Sequence, residues 1–145
     1  MKHFFVRIFM IILFVVLFVR INSTNSQINY YAKSYALVIG ISKYPSANWD
    51  NLKYPEKDAR GMADLLRSQG FEVITLYNQQ ATREAIISKM QDYIARKVKR
   101  NDRVVIFFSG HGYTENYGNE DYGYIVPYDA KTKSATYISM SDLRD

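Results

Sequence analysis

The four residues Ser109-Gly110-His111-Gly112 carry the clearest chemical signal in this chain of 145 residues. An imidazole is the side chain most often used as a general acid and base near neutral pH, and it also binds metals. The flanking glycines allow a sharp turn and let the backbone approach a bound molecule closely. The segment is therefore consistent with three roles for His111: a general base, a metal ligand or a structural residue.

Metal binding is the weakest of these interpretations. The sequence contains only two histidines, His3 and His111, and no cysteine. Histidine-rich sites, cysteine-ligated zinc and internal disulfides are therefore excluded. No pair of carboxylates has the spacing of a metal site. We expect no metal and no resident cofactor, while activation by calcium stays open.

Three apolar runs of strand length alternate with two helical patterns. The runs are Tyr35 to Ile41, Phe71 to Tyr77 and Asp102 to Phe108, and their composition is typical of strands covered on both faces. One helical pattern runs from Glu56 to a C-cap at Gly70, and the other from a cap at Thr82 to Val98. This order predicts one α/β domain with a doubly wound, mostly parallel sheet and helices on both faces.

His111 lies just past the carboxyl end of the third predicted strand, at the edge where open parallel sheets bind their ligands. Beyond it, the sequence predicts a polar loop from Tyr113 to Asp121 and an extended segment from Tyr122 to Pro127. Ser139 and Asp142 have the spacing of a capping box and predict the start of a helix. A helix that has only begun indicates a domain that is truncated in the given sequence.

Residues 1–26 have the layout of a signal peptide. Lys2 and Arg7 precede the apolar run from Ile8 to Val19, and small polar residues lead to Ser26. The run is shorter than the about 20 apolar residues that span a membrane. We expect cleavage after Ser26 and export to the periplasm or the exterior.

The alternative is an uncleaved anchor formed by residues 4–19, which would be the sole membrane contact. The formal net charge is +5, and it falls to +2 without residues 1–26, because that segment holds three basic residues and no acid. One basic cluster, residues 96–100, ends a predicted helix, where positive charge is favourable. Nucleic-acid binding is therefore not expected. The remaining residues, 27–145, form the single predicted domain.

The motifs occur in an order that resembles the large-subunit half of the caspase-like cysteine peptidases, the family of caspases, metacaspases and their bacterial relatives. The resemblance covers about residues 33 to 145. Its matching stretches are Ala36–Ile41 with Tyr44-Pro45, Leu52-Lys53-Tyr54 before Lys57-Asp58-Ala59, Gly70–Val73, Val104–Gly112, Ile125–Ala130 and Ile138–Leu143. It implies a caspase-like fold, truncated before the strand that carries the cysteine.

The resemblance also implies roles for single residues. His111 would be the catalytic base and acid, which helps to form a thiolate and protonates the leaving amine. The backbone N–H of Gly112 would donate to the oxyanion. In this family the cysteine follows the histidine by about 50 residues, which places it beyond Asp145, so the chain alone is expected to be inactive. Asp58 falls where metacaspases hold a substrate Arg or Lys; a helix-dipole role is its alternative.

Three functions stay open at this point. The first is the N-terminal part of an exported cysteine endopeptidase that acts on proteins or peptides together with the missing C-terminal part or small subunit of its domain. The second is a catalytically dead pseudoenzyme or interaction module. The third is an unrelated doubly wound ligand-binding domain, although no Gly-x-Gly-x-x-Gly loop follows a strand. Ser109 is a poor nucleophile because it shares a turn with His111.

Overall fold

A computed structural model describes residues 30–141, apart from the side chains of residues 92 and 93. Its central feature is a parallel sheet of three strands in the order β2-β1-β3, with β1 hydrogen-bonded to both neighbours. The strands are β1 Ser34–Gly40, β2 Glu72–Tyr77 and β3 Arg103–Ser109. The predicted parallel sheet is confirmed, and each strand lies within two residues of its predicted bounds.

Two helices cover opposite faces of β1. Helix α1, Pro55–Ser68, packs Ala59 and Ala63 against Ala36 and Val38. Helix α2 is α-helical over Arg83–Ser88, π-helical over Lys89–Ile94 and α-helical again over Ala95–Lys97. It packs Ile86 and Ile94 against Leu37 and Ile39. Because successive strand residues point to opposite faces, β1 contributes to both cores and is almost completely buried.

Local hydrogen bonds explain where the helices begin. Pro55 occupies the first helical position of α1, and the buried Ser42 hydroxyl accepts the N–H of Glu56 at 2.9 Å. The Thr82 hydroxyl accepts the N–H of Ala85 at 3.2 Å at the start of α2, as the sequence predicts. Gly70 follows α1 with a φ of +80°, a conformation that favours glycine.

The segment after His111 is a β-hairpin, and the predicted polar loop from Tyr113 to Asp121 is wrong. Strand β4, Gly112–Tyr117, pairs antiparallel with β5, Glu120–Ile125. Gly118, with a φ of +67°, is the first of two turn residues, which is typical of a type II′ turn. Almost all of β4 is exposed, so it lacks the apolar alternation by which strands are recognised in a sequence.

The helix predicted to start at Ser139 is also replaced by a strand. Strand β6, Ile138–Ser139, pairs antiparallel with β5, and the buried side chain of Ile138 joins the core beneath it. The Ser139 hydroxyl accepts the N–H of Ser141 at 3.1 Å and turns the chain. The second member of the expected capping box, Asp142, lies outside the described residues.

One face of β3 is uncovered in the described part of the chain. Val104 and Ile106 are 37% and 40% exposed, although their register partners on β1, Tyr35 and Leu37, are buried. The predicted signal peptide, residues 1–26, lies outside the described range. Within that range, no helix has both the length and the apolar character needed to cross a membrane.

Candidate active site

His111 lies at the edge of the sheet where parallel strands place ligand sites. The chain leaves β1 to form β2 on one side and returns to form β3 on the other, so the carboxyl ends of β1 and β3 form a topological switch point, where open sheets place their ligand sites. The N–H of Ile41 bonds the carbonyl of Ser109 at 2.9 Å and extends the pairing to the very end of both strands. The predicted position of His111 is therefore confirmed.

The loop that leaves β1, residues 41–54, is fixed by hydrogen bonds beside His111. The N–H of Leu52 bonds the Ser42 carbonyl at 2.8 Å, and the N–H of Tyr44 bonds Asn51 Oδ1 at 3.0 Å. Asn78 Oδ1 accepts from the N–H of Ser42 at 2.8 Å, with a φ of 46° at Asn78. These bonds determine which atoms of the loop face the imidazole.

The imidazole of His111 is held from three sides. Its Nε2 lies 2.8 Å from the backbone oxygen of Asp50. The rings of Tyr44 and Trp49 have their centroids 4.9 and 5.1 Å from the imidazole centroid. Because a carbonyl oxygen can only accept a hydrogen bond, Nε2 carries the proton in the neutral imidazole. Nδ1 is then the basic nitrogen.

Tyr44 joins the loop to the first residues beyond β3. Its hydroxyl accepts the N–H of His111 at 3.0 Å and donates to the carbonyl of Val126 at 3.3 Å. The N–H of Val126 bonds the His111 carbonyl directly at 3.0 Å. In a regular hydrogen-bonded antiparallel pair, the His111 N–H would donate directly to the Val126 carbonyl. Here the Tyr44 hydroxyl lies between these two groups and bonds both of them. Burial raises the pKa of the Tyr44 phenol to about 12, against a smaller lowering by the His111 N–H.

This pairing determines the direction of the Gly112 amide. Hydrogen-bonded and non-hydrogen-bonded pairs alternate along an antiparallel ladder. Since His111 and Val126 form a hydrogen-bonded pair, the next pair, Gly112 and Ile125, is of the other kind. The N–H of Gly112 therefore points away from β5 and is available to a bound molecule. This is the geometry that an oxyanion donor needs.

Comparison with known proteins identifies the family of this chain. Residues 33–145 match the family model described as the caspase domain. The chain belongs to the caspase-domain family. The hypothesis of an unrelated doubly wound ligand-binding domain is therefore wrong, and the caspase-like fold is confirmed.

Among solved structures, this caspase domain is similar to a crystal structure of protein GSU0716 from Geobacter sulfurreducens. The TM-score is 0.64 at 23% sequence identity, which supports the fold alone. The match covers 77% of this chain but only 43% of that structure, so the chain spans less than half of its length. The search of curated proteins gave no match.

The sequence did not indicate three parts of this site. Tyr44 occurs in the motifs that resemble the family, but nothing in its type revealed that it bridges two backbone groups. Trp49 and the Asp50 carbonyl gave no signal, because a backbone oxygen is contributed equally well by any residue type. Gly110 allows the bridge: a Cβ there would lie 2.7 Å from the Tyr44 hydroxyl and 2.8 Å from Cζ of Phe108.

Asp58 lies on the first turn of α1, and its side chain is exposed. It makes no hydrogen bond or ion pair with His111. A second carboxylate of the same turn, Glu56, lines a cavity of about 440 Å³ beside the loop after β1. Glu56 bonds Arg60 at 2.7 Å and accepts from Asn78 Nδ2 at 2.5 Å. The hydrogen bond with Arg60 lowers the pKa of the Glu56 carboxyl most, and the hydrogen bond with Asn78 lowers it further.

The described part of the caspase domain contains no group of three or more His, Asp or Glu residues that could hold a metal ion. Its basic cluster is remote from His111. Lys97, Lys99 and Arg100 line a cavity of about 550 Å³ at the amino ends of β1 and β3, opposite the edge that carries the imidazole. Lys97 also pairs with Glu72 across the sheet end.

Proposed function

We propose that residues 27–145 form the N-terminal part of the catalytic domain of a cysteine endopeptidase, with His111 as its base and acid and the thiol supplied from outside residues 1–145. One observation carries the proposal. The proton on Nε2 of His111 bonds the Asp50 carbonyl, which leaves Nδ1 basic, and the adjacent Gly112 amide is free of the β-ladder. A base beside a backbone donor is the combination that acyl transfer requires.

The chemistry begins when Nδ1 of His111 takes the proton of the cysteine thiol. The thiolate attacks the carbonyl carbon of the scissile peptide bond, and the negative charge moves to the carbonyl oxygen. The N–H of Gly112 and the amide of the cysteine stabilise that oxyanion. The imidazolium then gives its proton to the leaving amine, the C–N bond breaks, and water activated by His111 hydrolyses the thioester.

The surroundings of His111 hold the imidazole in one orientation through this cycle. The Asp50 carbonyl accepts from Nε2–H in both protonation states. The rings of Tyr44 and Trp49 lie against the imidazole, with centroids 4.9 and 5.1 Å from its own. Nδ1 therefore keeps its direction while it takes up and gives back a proton.

We propose further that the enzyme cleaves after Arg or Lys and that Asp58 holds the basic side chain. Glu56 is already bonded to Arg60 and Asn78, whereas Asp58 is exposed at the start of the same helix. Asp58→Asn should lower kcat/KM for Arg substrates by about tenfold or more, because it removes a charge pair. Asp64→Asn is the matched control, since Asp64 lies on the same helix and pairs with Arg67. Equal effects of the two variants would assign Asp58 to the helix dipole.

The first test is the sequence of the coding region after residue 145. A cysteine about 50 residues after His111, following a strand, supports the proposal. A product that continues well past residue 145 without such a cysteine contradicts it and favours the pseudoenzyme.

The second test uses the complete product in a fluorogenic peptide assay. His111→Ala should abolish cleavage, whereas Gly61→Ala, in open space on α1, should retain it. Unchanged activity in His111→Ala would remove the imidazole from the mechanism.

Export is a separate proposal that rests on the layout of residues 1–26. Expression in cells followed by fractionation and N-terminal sequencing of the mature protein tests it. A mature protein that starts near residue 27 supports cleavage. An intact N-terminus in the membrane fraction supports the anchor, and one in the cytoplasm contradicts both.

A further inference from the structure

The β4–β5 hairpin gathers its tyrosines on one side. Because side chains alternate along a strand and the register pairs residue 113 with residue 124, one face of the hairpin carries aromatic rings around a carboxylate. We call the following five residues the hairpin face: Tyr113, Glu115, Tyr117, Tyr122 and Tyr124. Three of the tyrosines stay substantially exposed, with Tyr113 and Tyr122 at 40% and Tyr117 at 56%.

The hairpin face is continuous with His111. Trp49 contacts the imidazole at 5.1 Å and the ring of Tyr113 edge-on at 6.5 Å. Tyr137 contacts Trp49 at 5.7 Å and Tyr113 at 5.3 Å. A strip of rings therefore leads from the reacting imidazole onto the hairpin. An extended peptide beside His111 would pass along it.

Negative charge accompanies these rings. Glu115 lies at the centre of the hairpin face, and its Oε2 is buried without a hydrogen-bond partner among the described residues. The Glu115 carboxylate as a whole still raises the pKa of the neighbouring Tyr117 phenol, chiefly by accepting a hydrogen bond from it. Glu120 accepts from the Tyr122 hydroxyl at 2.7 Å and raises the pKa of Tyr122 in the same way. A buried carboxylate oxygen with no donor is rare in a folded protein, so Oε2 can accept a further hydrogen bond from a group outside the described residues.

Five aromatic rings elsewhere in the described residues already have cations of this chain. Lysine or arginine groups stack within 5.5 Å of five ring centroids, those of Tyr31, Tyr35, Tyr54, Phe71 and Tyr77. Within residues 30–141, the hairpin face has neither a stacked cation nor an ion pair to Glu115 or Glu120. The tyrosine rings of the hairpin face and the carboxylates of Glu115 and Glu120 are therefore complementary to a cation supplied by another molecule.

We propose that the hairpin face binds an arginine or lysine side chain of the peptide substrate on the leaving-group side of the scissile bond. The assignment to a substrate rests on the proposed peptidase function. His111 protonates the leaving amine, so the residues after that amine lie on the side of the imidazole and its ring neighbours. The aliphatic stem packs on the tyrosine rings, and the cationic head bonds the carboxylate of Glu115.

The spacing of the strand indicates which substrate residue is held. Glu115 is four residues after His111, a distance of about 13 Å at a rise of about 3.3 Å per residue. A substrate in extended conformation advances by a similar amount per residue. The basic side chain is therefore about the third or fourth after the cleaved bond.

Equilibrium binding to the full chain tests this inference without any catalytic step. Fluorescence anisotropy compares two labelled peptides that differ by Arg or Gln at that position. We expect the Arg peptide to bind about tenfold more tightly. Glu115→Gln should remove this difference. Asp121→Asn, which neutralises an acid on the opposite face of the hairpin, should preserve it.

A second measurement separates binding from folding. Glu115→Gln removes a carboxylate with an unpartnered buried oxygen, so the thermal midpoint of the free protein should stay equal or rise. A clear fall would mean that Glu115 serves the fold and would overturn the proposal, as would equal binding of the two peptides. Since the assay needs neither thiol nor turnover, its failure is distinguishable from failure of the peptidase function, which the activity of His111→Ala measures.

Discussion

The hydroxyl of Tyr44 accepts the backbone N–H of His111 at 3.0 Å and so joins the loop after β1 to the turn after β3. The same hydroxyl donates to Val126 at the end of β5. One buried phenol therefore holds the central parallel sheet, the hairpin and the imidazole in a single arrangement. Changes at Tyr44 should affect both stability and catalytic geometry.

Removing this hydroxyl should destabilise the domain. Tyr44→Phe leaves the N–H of His111 and the carbonyl of Val126 without their partner, and we expect the free energy of unfolding to fall by about 1–3 kcal/mol. Urea denaturation measures the change. Tyr128→Phe is the matched control, because Tyr128 packs on the same core and its hydroxyl makes no hydrogen bond within the described residues. Similar losses in both variants would mean that the bridge contributes nothing.

The Tyr44 phenol should also make stability depend on pH at alkaline values. Its pKa is raised from 10.0 to about 12 on folding, so the folded state keeps a proton that the unfolded state releases. This contribution is complete below pH 10 and is lost as the pH rises towards 12, by up to about 2 kcal/mol. Denaturation midpoints measured from pH 8 upward should therefore fall more steeply in the wild type than in Tyr44→Phe. Parallel curves would contradict burial of the phenol.

A side chain at position 110 should displace Tyr44. The Cβ of Gly110→Ala would lie 2.7 Å from the Tyr44 hydroxyl, and we expect destabilisation by about 1–3 kcal/mol. The loss should be smaller when Gly110→Ala is made in the Tyr44→Phe background, because one of the two close contacts disappears. Gly61→Ala meets no atom within 4 Å inside α1 and should stabilise by about 0.5–1 kcal/mol. Additive losses at positions 110 and 44 would show that the two sites are independent.

The Gly112 amide should matter for catalysis and not for the ladder. Gly112→Pro removes an N–H that points away from β5, so in the complete enzyme kcat should fall about 100- to 1000-fold. Gly112→Ala keeps the N–H, and its Cβ makes only an ordinary contact of 3.6 Å with the Tyr124 carbonyl, so it should stay active. Circular dichroism checks that both variants keep the fold. Full activity in Gly112→Pro would exclude this amide as an oxyanion donor.

Elements with strong periodicity were predicted well from sequence. The continuous apolar run of β1 and the cap at Thr82 are local patterns, and both appear in the structure as expected. The hairpin after His111 was missed because exposed strands carry polar residues, and only the pairing partner reveals them. The helix predicted to start at Ser139 was wrong for the same reason. Ser139 and Asp142 have the spacing of a capping box, but the neighbouring Ile138 pairs with Ile125 as part of a strand.

The sequence by itself determined that one histidine follows a buried strand between two glycines, that residues 1–145 contain no cysteine, and that the family is that of caspase domains. Only the tertiary structure decided how the histidine is held. The Asp50 carbonyl, the Tyr44 bridge and the direction of the Gly112 amide depend on contacts between segments that are distant along the chain. Backbone groups carry no residue type, so these contacts become visible only when the fold has brought them together.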